Sequence, residues 1–513
     1  MDLEVRTLAT RLRRISQIVF FIAFVALLLR TKLFVSLGAD RPPAIPVNLF
    51  FKVDPLAALV NLLADHALYR GLAWSLIILI PTLFLGRFFC GWICPMGSLN
   101  HFLGNLRSES KGRKIRIAAN RYKTWHTTKY FLLIAGLIAA LWRSNVVGWI
   151  DPFSLFVRST GVSVLPAAAS KKYYVVYQPH YWPSLMVCAG FLALLLMNLR
   201  ITRFWCRALC PLGALLGVAS RWSILGLHKD AATCNKCSRC EIDCQGGDDP
   251  IGGAPWHKTE CHLCLNCVEA CPHGSLEFRF SRNFQTTPEV VGTSLSRRKT
   301  LAAVVTGLAA VPLLRAQTGL GKGRNDRLIR PPGAKDETDF LARCIRCGEC
   351  MRACPNNALH PAITEAGLEG LWSPLVTPKI GYCEPSCVLC SEVCPTCAIH
   401  ELTAGQKGWI AEKNEASTPL RIGTAVYDHA ICLPWAKSTE CVVCLEWCPV
   451  EPKAIYIKAA EIVGAEGKPR ALKQPHIDTS RCVGCGACEF SCPVQEHPGV
   501  YVTSMGESRS RHP

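Results

Sequence analysis

Hydrophobic positions are spread unevenly along this 513-residue chain. The first 225 residues hold four apolar stretches, about 15–35, 71–89, 130–149 and 184–200, each long enough to predict a transmembrane helix. Beyond them only one weakly apolar run recurs, Leu301 to Leu314, directly after Ser296-Arg297-Arg298-Lys299. The basic arm with Arg6, Arg11, Arg13 and Arg14 predicts a cytoplasmic start. The connection between the second and third stretches sets Arg107, Lys111, Arg113, Lys114, Arg116, Arg121, Lys123 and Lys129 against Glu109, so it returns to the same side. Four spans with both ends inside follow. Trp149 and Trp182 then fall near the outer interface, Trp92 and Trp205 near the inner one.

This apolar half repeats itself. Val53-Asp54-Pro55-Leu56 recurs as Ile150-Asp151-Pro152-Phe153. Arg87-Phe88-Phe89-Cys90-Gly91-Trp92-Ile93-Cys94-Pro95-Met96-Gly97 recurs as Arg203-Phe204-Trp205-Cys206-Arg207-Ala208-Leu209-Cys210-Pro211-Leu212-Gly213. Asp followed by Pro is a helix start, with the carboxylate as N-cap and the proline at the first helical position. Leu56, Leu59, Val60 and Leu63 share one face of the first such helix, which predicts an interfacial helix on an outer loop. A sharper reading makes Asp54 and Asp151 the proton acceptors of a quinol at the outer face. Cys90 and Cys94, and Cys206 and Cys210, are four apart and would share a helix face at the cytoplasmic end. Three chemistries stay open for them: ligating a metal or cluster together, cycling as redox thiols, or packing as small residues. The spans contain no histidine and the chain no Cys-x2-Cys-His, which excludes b-type and c-type haem.

Composition sharpens the picture in two respects. A hydrophobic content of 50% and a charge content of 19% suit a chain partly embedded in a membrane, and the net charge of +19 lies near apolar segments, favouring a membrane surface over nucleic acid. Thirty cysteines, most of them in compact groups of four, exclude a small disulfide scaffold and point to metal thiolates. Cys234, Cys237, Cys240 and Cys244 keep the spacing C-x2-C-x2-C-x3-C, and Cys261, Cys264, Cys267 and Cys271 repeat it before Pro272. That is the two-cluster bacterial ferredoxin signature, in which the fourth cysteine of each run serves the other cluster. One cluster therefore takes Cys234, Cys237, Cys240 and Cys271, the other Cys261, Cys264, Cys267 and Cys244. Structural zinc, which joins separated Cys-x2-Cys knuckles, fits this tight run poorly.

Four further runs follow the apolar segment. Cys344, Cys347, Cys350 and Cys354 are regular; Cys383, Cys387, Cys390 and Cys394 stretch the first gap to three; Cys432, Cys441, Cys444 and Cys448 stretch it to eight. Cys482, Cys485, Cys488 and Cys492 are regular again, with Gly484 and Gly486 permitting tight turns. Six [4Fe–4S] clusters are expected, and the last four runs pair either in order or nested. Cys188 and Cys397 stay outside the runs and read as buried small hydrophobes.

The expected fold is an α-helical membrane bundle, four spans and a fifth at Leu301–Leu314, with two α+β bacterial-ferredoxin-like modules. The domains are 1–225, the membrane part; 226–290, a cytoplasmic two-cluster module; 291–335, a twin-arginine segment with fifth span and linker; and 336–513, a four-cluster domain outside the cytoplasm. Three cations before a short apolar run match an export signal, and the arginine pair resembles the twin-arginine kind that exports folded proteins. Gly319 to Gly323, then Arg330-Pro331-Pro332-Gly333-Ala334, read as a flexible and then stiff linker.

These residues carry a resemblance. The four spans, the twin Cys-x3-Cys-Pro motifs and the module Cys234–Cys271 resemble the NapH-type membrane polyferredoxin. The Arg-Arg segment, Arg330–Ala334 and the later runs resemble its exported NapG/MauM-type ferredoxin partner. The resemblance implies a bacterial inner-membrane fusion that oxidises quinol and delivers electrons through clusters to an extracytoplasmic reductase or small carrier, of nitrate or nitrous-oxide type, without flavin. The alternative it leaves is an assembly or maturation factor for a respiratory metalloenzyme.

Overall fold

The computed structural model describes residues 3–36, 48–66, 69–106, 112–164, 184–251, 256–280, 296–316, 325–410, 418–463, 469–494 and 496–509. Trp182, the bases Arg107 and Lys111 and the Gly319–Gly323 stretch lie outside these. The chain divides into two compact units: 1–30, 49–160 and 185–311 form the first; 31–48, 161–184 and 312–513 the second.

Among the described residues one helix is long and apolar enough to cross a membrane, Leu8–Thr31, 24 residues with a mean hydropathy of 2.0. The other predicted spans are represented by shorter helices. They are Leu76–Leu85 behind a 3-10 turn at Arg70–Ser75, Thr128–Leu141, and Ser184–Met197. Each presents large apolar side chains outward, among them Ile77, Ile80 and Phe84, Leu141 and Trp142, Leu185, Met186 and Leu192. The twin-arginine segment forms a 20-residue helix, Arg297–Ala316, called the hinge helix below. Its Ala303 and Val311 are buried, while Leu301 and Val305 are exposed. Gly307 lies between the two buried residues, and a Cβ there would sit 2.6 Å from the carbonyl of Ala135 on helix Thr128–Leu141. Small residues four apart thus allow two helix backbones into contact.

Both Asp-Pro pairs start helices as expected. Asp54 caps Pro55–Asp65 by accepting from the Leu56 N–H, and Asp151 caps Pro152–Ser159 by accepting from the Ser154 N–H. The first of these helices is not interfacial: Pro55, Leu56, Ala57, Ala58, Val60, Asn61 and Ala64 are all buried. Its apolar face is covered by protein from several sides, which one-faced periodicity understates.

Among the described residues the sheets are four two-stranded antiparallel ribbons. Leu225–Lys229 pairs with Leu276–Phe280, closing the first two cysteine runs between them. In the second unit Thr424–Tyr427 pairs with Val500–Thr503 around the last two runs. An isolated antiparallel bridge, Ala334 to Ile399, brackets the third and fourth runs in the same way. The other ribbons, Leu359–Pro361 with Pro374–Val376 and Ile455–Val463 with Pro469–Ile477, lie between the runs of a pair. The Arg330–Ala334 stretch is built into this unit. Arg330, Ala334 and Ile329 are buried, and Arg330 donates to Ser373 Oγ and the Pro374 carbonyl. The two prolines stiffen the chain, but an arginine with several partners docks it.

Candidate iron–sulfur sites and a buried carboxyl pair

The ferredoxin runs share a local backbone signature. In each regular run the residues flanking the second cysteine have positive φ: Lys236 and Ser238, Leu263 and Leu265, Arg346 and Gly348, Gly484 and Gly486. Left-handed residues at these two points curl the loop, and a short helix then carries the third cysteine. The runs with longer first gaps do not need this curl, and Val388 and Val442 keep negative φ.

The thiols fall into groups of four as the swapped arrangement requires. Cys240 faces Cys237 and Cys271, while Cys244 faces Cys261 and Cys264. In the second unit Cys350 faces Cys344, Cys347 and Cys394, and Cys390 faces Cys383, Cys387 and Cys354. Cys432 faces Cys441, Cys444 and Cys492, and Cys488 faces Cys482, Cys485 and Cys448. The last four runs thus pair in order, not nested. Cys344, Cys347, Cys350 and Cys394 line a single apolar cavity with Pro395 and Ile399.

Burial pushes the thiols of Cys261 and Cys485 up to about 12. At neutral pH such sulfurs are thiolates only beside compensating positive charge, which iron supplies. Among the described residues no three His, Cys, Asp or Glu side chains converge closely enough for one ion. Sequence reasoning missed the donors around these sulfurs. Lys407 Nζ lies 3.4 Å from Cys383 Sγ and also donates to the Glu384 and Cys387 carbonyls. Tyr427 Oη is 3.1 Å from Cys444 Sγ. Such contacts tune reduction potential. Cys188 and Cys397 are only half-buried.

In the first unit the structure brings together residues that the sequence places far apart. The carboxyls of Asp54 and Asp151 are both buried; one oxygen of each caps its helix, and Asp54 Oδ2 and Asp151 Oδ1 have no hydrogen-bond partner among the described residues. The Phe153 ring, two residues beyond Asp151, lies 6.1 Å from that of Phe89, next to Cys90. The segment that follows Asp151 thus packs against the segment that carries Cys90.

Nor do the Cys-x3-Cys pairs ride on continuous helices. Cys90 lies in Phe88–Trp92 and Cys94 precedes Pro95–Leu106; Cys206 lies in Phe204–Ala208 and Cys210 caps Pro211–Ala219. Proline breaks each helix, and the four thiols still converge: Cys94 and Cys210 each face Cys90 and Cys206. Arg203 donates to the Cys90 carbonyl, and Arg87 Nη2 would lie 2.9 Å from a Cβ at Gly213. Each arginine thus reaches the other hairpin.

Three domain models, each described as a 4Fe-4S binding domain, match the chain: one at 67–114 and 182–227, one at 254–277 and 340–360, and one at 473–494. The methylamine utilization ferredoxin-type protein MauM of Methylorubrum extorquens is 34% identical over 39% of this chain and 85% of its own length. The ferredoxin-type protein NapG of Escherichia coli is 34% identical over 41% of this chain and 86% of its own. The putative electron transport protein YccM of Escherichia coli is 28% identical over 43% of this chain and 60% of its own. No solved structure matches.

Proposed function

The chain belongs to the ferredoxin-type family that includes MauM and NapG, and from that premise we propose that it is a membrane-bound quinol dehydrogenase serving an extracytoplasmic reductase or small carrier. Electron transfer through 4Fe-4S ferredoxin-type domains is common ground with the family. The finer reading joins a NapH-type membrane half to a NapG/MauM-type half. Six clusters are held by the groups Cys234/237/240/271, Cys244/261/264/267, Cys344/347/350/394, Cys354/383/387/390, Cys432/441/444/492 and Cys448/482/485/488. Bound clusters supply reversible one-electron carriage.

Embedding in a membrane is supported by Leu8–Thr31 and by the apolar side chains exposed on the other helices of the first unit. On this reading the short helices behind Asp-Pro and Cys-Pro are re-entrant segments buried in protein, which a bilayer tolerates. The hinge helix is the fifth span. Clusters are inserted before export, so a domain bearing them crosses folded, and Arg297-Arg298 is suited to that route.

The observation that carries the quinol reading is the pair of buried carboxyls, Asp54 and Asp151, each with one oxygen unpartnered among the described residues, beside an aromatic cluster. Oxidising a quinol releases two protons with two electrons. A buried carboxyl with an unpartnered oxygen offers an acceptor site for the first of them. Phe24, Phe50, Phe51 and Phe153 pack beside it with ring centroids 4.8–6.4 Å apart, an apolar setting suited to a quinone ring. Replacing both residues, Asp54→Asn with Asp151→Asn, should lower quinol oxidation by about 100-fold or more while dithionite still bleaches the clusters. Normal quinol oxidation by that variant would remove the pair from the mechanism.

A further inference from the structure

Arg13 is fully buried in the first unit, yet its Nε and Nη1 have no hydrogen-bond partner among the described residues. Most of its N–H donors are therefore open. Its Nη2 donates to Asn266 Oδ1 at 2.9 Å, and both residues line a cavity of about 380 Å³, within the range of small-ligand sites. None of the cysteines and neither Asp54 nor Asp151 lines it. Burying a guanidinium without acceptors is costly, so open donors beside a cavity mark a place for an acceptor.

The lining is basic without being uniformly so. Arg13, Arg14 and Arg116 bring three cations, Asp243 and Glu269 two carboxylates. Asp243 is taken by Arg116 at 2.9 Å, and that arginine keeps an unpartnered Nε as well. Burial and the neighbouring Arg203, Arg13 and Arg14 hold His101 down to about 2, so it lines the cavity as a neutral ring. Arg203 and Cys264 also lie close to Arg13, so charge alone does not identify the occupant.

Position and donors do. Arg13 and Arg14 stand in the first two turns of Leu8–Thr31, and Leu8, Leu12 and Ile15 are exposed on the same turns. A group held at Arg13 therefore has an apolar helix face beside it, as a headgroup with acyl chains requires. Asn120 and Gln245 each bring an unpartnered amide oxygen to the lining, an acceptor for a headgroup hydroxyl. Another part of the wall, Asp243, Gln245, Asn266 and Glu269, comes from the first ferredoxin module. Basic pockets beside spans on the cytoplasmic side recognise anionic headgroups.

We propose that this cavity binds a phosphate group through Arg13 and Arg116, and that in the membrane the phosphate belongs to an anionic phospholipid. Bound there, it joins the start of the span to the first ferredoxin module. The lipid source rests on the membrane-bound reading; the phosphate site does not.

Delipidated full-length protein in detergent, titrated with dioleoylphosphatidylglycerol, dioleoylphosphatidylcholine and inorganic phosphate, tests this, with lipids read by native mass spectrometry and phosphate by calorimetry. Wild type should bind phosphatidylglycerol about tenfold more tightly than phosphatidylcholine, and Arg13→Gln should lose that preference. Gly104 lines the cavity, and a Cβ there meets only the Thr202 methyl at 3.7 Å. Gly104→Met thus keeps every charge, covers the case where Arg13→Gln does not fold, and should lose the same binding by filling the space. Arg11→Gln with Lys114→Gln removes exposed cations outside the lining and should bind as wild type does. Inorganic phosphate bound with the same dependence, and phosphatidylglycerol not, would keep the phosphate site and overturn the lipid source. Equal binding by all variants would overturn the proposal. So would an Arg13→Gln protein that binds normally and shifts only the potential of the cluster on Cys244, Cys261, Cys264 and Cys267, which assigns the arginine to that cluster. Release of the protein from cells without detergent would overturn the membrane-bound reading and the lipid source, while the phosphate titration still decides the site.

Discussion

Lys407 is a residue whose contribution is best read as a potential. Its ammonium is buried, lies over the Trp409 ring at 4.0 Å and reaches Cys383 Sγ. A cation beside a cluster favours the reduced, more negative state. Lys407→Met should lower the potential of the cluster on Cys354, Cys383, Cys387 and Cys390 by about 60 mV, a tenfold change for a one-electron couple. A redox titration followed by EPR checks this. Gly484 marks what was legible at this scale. The sequence indicates a tight turn, and φ of 76° bears it out; a Cβ would also lie 2.5 Å from Gly423 backbone atoms. Gly484→Ala should destabilise the second unit by about 2 kcal/mol or more, seen in thermal unfolding. Lys236, Leu263 and Arg346 adopt the same conformation without glycine. No residue type announces it there, because the turn is imposed by where the cysteines must go. Arg87 and Arg203 were legible in principle, since the repeat carries both ahead of its cysteines.

At the scale of elements, cysteine spacing and Asp-Pro starts translated directly into structure, because each is a local rule. Pairing between distant elements did not. Which runs pair was settled by the bridge Ala334–Ile399 and the ribbon Thr424–Tyr427 with Val500–Thr503, contacts that no local pattern encodes. The Arg330–Ala334 stretch was misread for the same reason. Arg330 and Arg509 both bind the half-buried Glu337, and against its partial desolvation they bring that carboxyl down to about 2. A folded-state value below the usual one near 4.5 means stability present above that pH and lost as pH falls towards 2. Acid titration of unfolding should show this loss between about pH 5 and 2, and Glu337→Gln should flatten it. The hinge helix permits another test. Gly307→Leu should separate it from Thr128–Leu141 and lower the yield of intact folded protein, whereas the exposed Val305→Leu should not.

The whole molecule joins an apolar helical unit, which also contains the first ferredoxin module, to a second unit with two further modules. The 4Fe-4S ferredoxin type was legible because thiolate spacing is a short-range signature. The interior of the first unit was not: hydropathy counted spans, while the structure inserts short helices that begin at Asp54, Cys94, Asp151 and Cys210 and turn inward. Arg297→Lys with Arg298→Lys should leave residues 318–513 in the cytoplasm, as a reporter fused after residue 513 would register. The central claim, that quinol electrons enter the clusters of this chain, is tested most directly by anaerobic titration of the protein in liposomes with a menaquinol analogue. The account predicts that cluster absorbance bleaches with quinol as it does with dithionite. Bleaching by dithionite alone, with quinol without effect, would contradict it.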